Sequence, residues 1–196
     1  MLKRIRSLVS NYNFIEIYDN VLTKHECEIL INQFEKSEDH KPGYLLDSDG
    51  KEIIDTDWKQ SVEIKNLFLS DGSIISNIIK PRLLPCIDKY NRKYRSLSAL
   101  TSWQYDEGYT FKKFEGEDAG FKKWHTEHCV GSLDRIFVWA FYLNNAKSGT
   151  EFMHYPTINA KIGRCVIWPS SWTHVHKGVI PNKGLKYIIT GWASHK

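Results

Sequence analysis

Ile136-Phe137-Val138-Trp139-Ala140-Phe141-Tyr142-Leu143 is a short run of aromatic and β-branched residues, the kind that favours a strand. Two similar runs follow, Arg164-Cys165-Val166-Ile167-Trp168 and Lys186-Tyr187-Ile188-Ile189-Thr190-Gly191-Trp192. The segments between them hold turn residues: Lys147-Ser148-Gly149, Pro169-Ser170 and Pro181-Asn182-Lys183-Gly184. Short strands at this spacing predict a β-sandwich or jelly roll from about Leu97 onward.

Upstream the character differs. Phe14 to Tyr18 alternates apolar and polar before Asp19-Asn20, predicting a short strand and a turn. Thr23-x-x-Glu26 is a capping-box pattern, and Cys27, Leu30, Ile31 and Phe34 then recur at helical spacing. Residues 37–60, polar and holding Pro42-Gly43 and Asp47-Ser48-Asp49-Gly50, read as a loop with a short hairpin. A second helical region is expected over 72–94, kinked or split by Pro81 and Pro85. Its Lys80, Arg82, Lys89, Arg92, Lys93 and Arg95 could touch an acidic partner but read more simply as a solvated face. We therefore expect one domain over 1–196, with helical and strand support in 1–96 and a β core in 97–196.

Composition narrows the classes. Among 196 residues, 27 Lys and Arg stand against 23 Asp and Glu, a balance that gives no ground for a nucleic-acid partner. A hydrophobic fraction of 41% excludes wholesale disorder. Cys27, Cys86, Cys129 and Cys165 show no paired spacing and read as reduced thiols of an intracellular protein. No apolar stretch is long enough for a membrane span. The basic start Met1-Leu2-Lys3-Arg4-Ile5-Arg6 is followed by no apolar run before Asn11 and Asn13, so no secretory signal is expected. The expected location is the cytoplasm.

The chemistry gathers around Trp124-His125-Thr126-Glu127. On extended backbone, positions i and i+2 project to one side, so His125 and Glu127 can share a metal. His174-Val175-His176 follows some fifty residues later. Two imidazoles and one carboxylate on one face of an octahedral ion leave three positions open, the arrangement of non-haem Fe(II) oxygenases. An HxE pair alone is a weak pattern, and the chain has eight histidines. Lys186, ten residues beyond His176, adds a constraint. A lysine facing a barrel interior needs an anion, and a dicarboxylic cosubstrate supplies one.

With these residues in order, the chain resembles the Fe(II)/2-oxoglutarate-dependent dioxygenases, in particular the prolyl 4-hydroxylase-like branch. The resemblance runs from about Phe14 to Trp192. Phe14-Ile15-Glu16-Ile17-Tyr18 and the helix after it look like the family's entry elements. His125-x-Glu127 stands at the HxD/E position, and His176-x-Gly178 at the distal histidine. Phe141-Tyr142-Leu143-Asn144 is similar to the family's Tyr-Leu-Asn segment, and Gly163–Pro169 to the strand leading to the distal histidine. Two positions depart from the pattern: Glu127 replaces the commoner Asp, and Phe114 and Phe121 stand where relatives often have tyrosines. Tyr105 and Tyr109 are then candidates for the missing hydroxyl, though packing is the simpler role for both. His174 competes with His176, and the His-x-Gly pattern and the spacing to Lys186 favour His176.

The resemblance implies a mainly β fold with N-terminal helices, a double-stranded β-helix of jelly-roll, cupin-like form. It implies Fe(II) held by His125, Glu127 and His176, with 2-oxoglutarate anchored by Lys186 and Tyr142. Thr190 shares strand parity with Lys186 and is a further candidate for the same carboxylate. The expected reaction is hydroxylation of a protein or peptide residue, prolyl foremost, using dioxygen and releasing succinate and CO2, with ascorbate as an accessory reductant. A free amino acid or other small molecule is the alternative substrate. A reading of another class is a cupin-like module that binds metal or a small acid without turnover. Loops 37–60 and 105–123 would form the mouth, where Lys112, Lys113, Lys122 and Lys123 would suit an acidic or extended partner but read more simply as solubilising rim residues.

Overall fold

The computed structural model describes residues 12–100, 102–105, 108–180 and 184–196. The basic start through Asn11, two residues of the expected 105–123 loop, and Pro181-Asn182-Lys183 of one expected turn lie outside the described residues.

The chain opens with β1 (Glu16–Tyr18) and α1 (Lys24–Lys36). Both halves of the capping box form: Thr23 accepts from the Glu26 amide, and Glu26 accepts from the Thr23 amide. That satisfies amides the first helical turn would otherwise leave unpaired. Cys27, Leu30 and Phe34 are buried, as their spacing predicts. Residues 37–60 contain β2 (Lys41–Pro42), the hairpin β3 (Leu45–Leu46) and β4 (Glu52–Ile53), and β5 (Lys59–Gln60). The polar composition there conceals more pairing than a loop with one hairpin. β6 (Val62–Leu67) leads to α2 (Ile74–Lys93), which is a single helix through Pro81 and Pro85 rather than two pieces. Each proline removes only one backbone donor, and the buried stripe Ile75, Ile79, Leu83, Ile87 and Tyr90 holds the helix together by packing.

The remaining strands are β7 (Trp103–Gln104), β8 (Tyr109–Glu115), β9 (Gly120–Phe121), β10 (Arg135–Tyr142), β11 (Gly149–Phe152), β12 (Ile158–Asn159), β13 (Arg164–Pro169), β14 (His176–Val179) and β15 (Leu185–His195). An eight-stranded sheet runs β1-β13-β10-β15-β8-β6-β2, with β7 also on β15, and every described pairing within it is antiparallel. A smaller sheet, β12-β11-β14, supplies the opposing wall. The architecture is the expected double-stranded β-helix with helices on one side.

Two cores explain why β10 is apolar from Ile136 onward. Phe137, Trp139 and Phe141 pack with the helices, while Val138, Ala140 and Tyr142 face the interior between the sheets. β15 divides the same way: Tyr187, Ile189 and Ala193 go to the helix side, and Ile188 to the interior. Gly191 is required at its place, because a Cβ there would stand 2.1 Å from Cζ2 of Trp139.

β8 overturns the reading of 105–123 as a loop. It pairs with β15 on one side and β6 on the other, and Tyr109 and Phe111 are buried in the helix-side core. Lys112 and Lys113 disguise it, since adjacent lysines read as solvent-facing. In fact Lys113 reaches Glu35 and Glu115, each at 3.0 Å, on the helix side. Lys112 turns the other way, into the barrel, because successive strand residues face opposite sides. Neither is simply a solubilising rim lysine.

Candidate active site

His125 and His176 meet as an isolated antiparallel bridge, each amide donating to the other's carbonyl at 2.9 Å. This backbone clasp, made outside any regular strand on the His125 side, brings the two imidazoles to a centroid separation of 4.4 Å. Glu127 sits one alternation further on, with Oε1 3.4 Å from His176 Nε2 and 3.9 Å from His125 Nε2. The three ligand atoms lie within 4.8 Å of one another, so the set can hold one metal ion.

The surroundings prepare each group. Nδ1 of His125 is 3.0 Å from the Lys123 carbonyl, and Nδ1 of His176 is 2.9 Å from the His174 carbonyl. A carbonyl accepts only, so each Nδ1 carries the proton and each Nε2 lone pair is left for a metal. Burial, with His176 beside it, pushes the His125 imidazole down to about 3, so it is neutral near pH 7. Phe121 stacks on His125 at 3.6 Å and fixes the ring plane. Burial opposes ionisation of Glu127. The positive groups around it, Lys112 among them, nevertheless hold its carboxyl well below the usual range. Its second oxygen accepts from Trp192 Nε1 at 3.0 Å, with Arg135 Nη1 at 3.4 Å. Arg135 also lies 3.8 Å over the Trp192 ring.

Two cavities meet at these residues. The smaller, about 60 Å³, runs from the three ligands to Lys186, past Thr150, Ile188 and Thr190. Lys186 is 2% exposed; its ammonium lies 4.6 Å over the Phe114 ring and donates to the Gly149 carbonyl at 3.4 Å. Burial, then the charge of Lys112, pushes its pKa down to about 7. An ammonium held this way fits an anionic group in the cavity. Thr190 lines the cavity as its parity with Lys186 requires. Tyr142 is fully buried behind it: its hydroxyl meets Thr150 Oγ1 at 2.6 Å, and Thr150, not Tyr142, forms the wall. Burial pushes the Tyr142 phenol up to about 12.

The larger cavity, about 450 Å³, opens on the other side of His125 and Glu127. Residues from 44–48, Trp58 and β6 line it, joined by Lys112 and Trp192. Lys112 borders both cavities, and burial, with Lys59 nearby, pushes it down to about 8.

His174 is not part of this arrangement. It ends a 3-10 helix over Trp172–His174, so it and His176 do not share one strand face. Its Nε2 lies 2.8 Å from the Asn13 carbonyl and its Nδ1 2.9 Å from Thr173 Oγ1, and its ring stacks on Tyr155. Tyr109 packs in the helix-side core, with Tyr105 against it. Thr150, Lys59 and Glu63 are site-lining residues that sequence reasoning missed, and Lys112 was placed only at the rim. Only strand parity with Phe114 could have found Lys112, and nothing local marks the others.

The region with this geometry is where similarity to known proteins lies. Residues 109–194 match the 2OG-Fe(II) oxygenase superfamily. No curated protein sequence matches the chain. Among solved structures, the fold is similar to the viral collagen prolyl hydroxylase of Paramecium bursaria Chlorella virus-1 bound to 2OG. That match has a TM-score of 0.64 and 16% identity, covering 96% of this chain and 99% of that one. A prolyl hydroxylase from Trichoplax adhaerens, in complex with a hypoxia inducible factor oxygen degradation domain peptide fragment, gives 0.69 at 16% identity. It covers 98% of this chain and 90% of that chain. A Pseudomonas putida prolyl-4-hydroxylase gives 0.64 at 13% identity, covering 100% of both chains. At these identities the solved structures establish the shared fold, and the family match is confined to residues 109–194. Residues 109–194 of this chain match the 2OG-Fe(II) oxygenase superfamily, and with the shared fold and the His125, Glu127 and His176 set they support an enzyme that uses Fe(II), 2-oxoglutarate and dioxygen.

Proposed function

We propose that this oxygenase hydroxylates a residue of a protein or peptide, a prolyl residue foremost, and releases succinate and CO2. The observation that carries the reading is the pair of cavities meeting at His125 and Glu127, one small and ending on a buried lysine, the other larger and open. The small one suits a five-carbon diacid, and the larger has room for a side chain with its flanking backbone. Exposed Leu46, Ile53 and Trp58 beside the larger opening would give a peptide apolar footing. The similarity to prolyl hydroxylases, one of them bound to a peptide, supports the same substrate class.

In this reading His125, Glu127 and His176 hold Fe(II), which when bound supplies the activation of dioxygen. Lys186 binds the far carboxylate of 2-oxoglutarate by a charge-assisted hydrogen bond. Thr190 and Thr150 add hydroxyl contacts, with Tyr142 orienting Thr150 from behind. Trp192 and Arg135 fix one Glu127 oxygen so that the other faces the imidazoles. The whole chain acts as one domain, since β1, β2 and β6 from its first part complete the large sheet. A cytoplasmic setting accompanies the proposal, because all four cysteines are free thiols.

The test is aerobic incubation with Fe(II), ascorbate and 2-oxoglutarate, with and without prolyl peptides, against a His176→Ala control. Succinate release lost in the control, with a peptide mass gain of one oxygen, is the expected result. Succinate release that no peptide stimulates would turn the search to free amino acids. Failure of anaerobic Fe(II) and 2-oxoglutarate to bind would overturn the reading.

A further inference from the structure

We infer that the substrate of this enzyme carries a carboxylate beside its reacting residue, and that Lys112 is the residue that binds it. The inference rests on the oxygenase reading above and specifies its substrate class as an acidic peptide.

β8 turns Thr110, Lys112 and Phe114 into the barrel, and Lys112 borders both cavities. Its ammonium belongs to the larger one. The ring it lies over, Trp192 at 5.7 Å, lines that cavity and not the small one. Glu63, its partner across the β6–β8 ladder, also lines only the larger cavity.

Glu63 and Glu127 act on the Lys112 charge from a distance, but neither pairs with it directly, and each is shared with other cations. Glu63 is wholly buried, with Lys59 at 2.7 Å, Lys65 at 3.3 Å and the Ser61 hydroxyl at 2.7 Å. Glu127 accepts from Trp192 and faces Arg135 and the two imidazoles. Asp47 accepts from the amides of Asp49 and Lys51 at the hairpin tip, each at 2.9 Å. Among the described residues, no carboxylate comes within 4.0 Å of the Lys112 ammonium.

Lys59, Lys65, Lys112 and Arg135 thus face Asp47, Glu63 and Glu127 around one cavity, four positive groups against three negative. A bound divalent ion makes the excess larger. A buried ammonium with no carboxylate in direct contact is costly, and a substrate carboxylate reduces that cost on binding. Lys186 does not compete for it, since it lies at the far end of the small cavity.

Lysine acylation mapped by mass spectrometry on the full-length protein tests this. Both Lys112 and Lys186 are read in one experiment, and no variant has to fold. Saturating 2-oxoglutarate should slow acylation of Lys186, which tests the oxygenase reading. With 2-oxoglutarate present, capped N-acetyl-aspartyl methylamide at four times its dissociation constant should slow Lys112 about fivefold. The matching asparaginyl amide should leave Lys112 unchanged. Equal effects of the two amides, no protection, or a Lys112 too enclosed to acylate would each overturn the inference. An unprotected Lys186 would instead indict the cosubstrate assignment, whatever Lys112 does.

Discussion

Trp192 donates from its indole nitrogen to Oε2 of Glu127 at 3.0 Å, so the last strand of the barrel sets the orientation of a carboxylate that arrives from a loop. The same indole carries the Arg135 guanidinium on its face at 3.8 Å. Replacing Trp192 with Phe keeps a ring but removes the donor. Outer partners of this kind are worth about 10–100-fold in metal affinity. Fe(II) or Co(II) titration of Trp192→Phe should show a loss in that range, and unchanged affinity would dismiss this positioning role.

Lys186→Met removes a buried charge while keeping an unbranched apolar side chain. A hydrogen bond to a charged group contributes about 1.5–3 kcal/mol, which corresponds to roughly 10–100-fold in affinity. Anaerobic titration should find 2-oxoglutarate binding weakened by about that factor and Fe(II) binding unaltered. A variant that binds 2-oxoglutarate normally would refute the assignment of Lys186.

The lowered pKa of Lys186, about 7, makes a prediction about pH. An ordinary lysine titrates near 10.4, so between about 7 and 10 the unfolded chain holds a proton that the folded one sheds. Stability therefore rises with pH across that window, and below it the full cost of burying the ammonium is present. Lys112, lowered to about 8, adds in the same direction. Wild type should gain thermal stability relative to Lys186→Met between pH 6.5 and 9, before any ligand is added. Binding of 2-oxoglutarate restores the ammonium, so at pH 8.5 calorimetry in buffers of different ionisation enthalpy should register proton uptake.

Gly191→Ala tests the packing that joins the barrel to its helices. The new methyl would meet Trp139 Cζ2 at 2.1 Å, and Trp139 is fully buried. Overpacking of this sort costs about 1–3 kcal/mol. Chemical denaturation should give a loss in that range or beyond it, and a neutral result would mean that the indole can shift.

Much of the site could be read from residue order. His125 and Glu127 are two apart, and extended backbone places such residues on one side without help from the rest of the chain. The runs at 136–143, 164–168 and 186–192 declared themselves as strands because burial on both faces leaves only apolar and aromatic residues along most of their length. The capping box of α1 was legible for a similar reason: both of its hydrogen bonds span three residues.

Long-range pairing decided the rest. His174 and His176 look equivalent in sequence, but a 3-10 turn sends one ring to Asn13 and the other across a bridge to His125. Lys112 and Lys113 are identical neighbours, yet β8 lies inside a sheet with a core on each side, so one points to the helices and one to the barrel. Thr150 lies between Tyr142 and the cavity only because β11 folds across from β10. Local periodicity fixes which residues alternate. What each face meets depends on contacts between distant segments, and no single stretch of sequence encodes those.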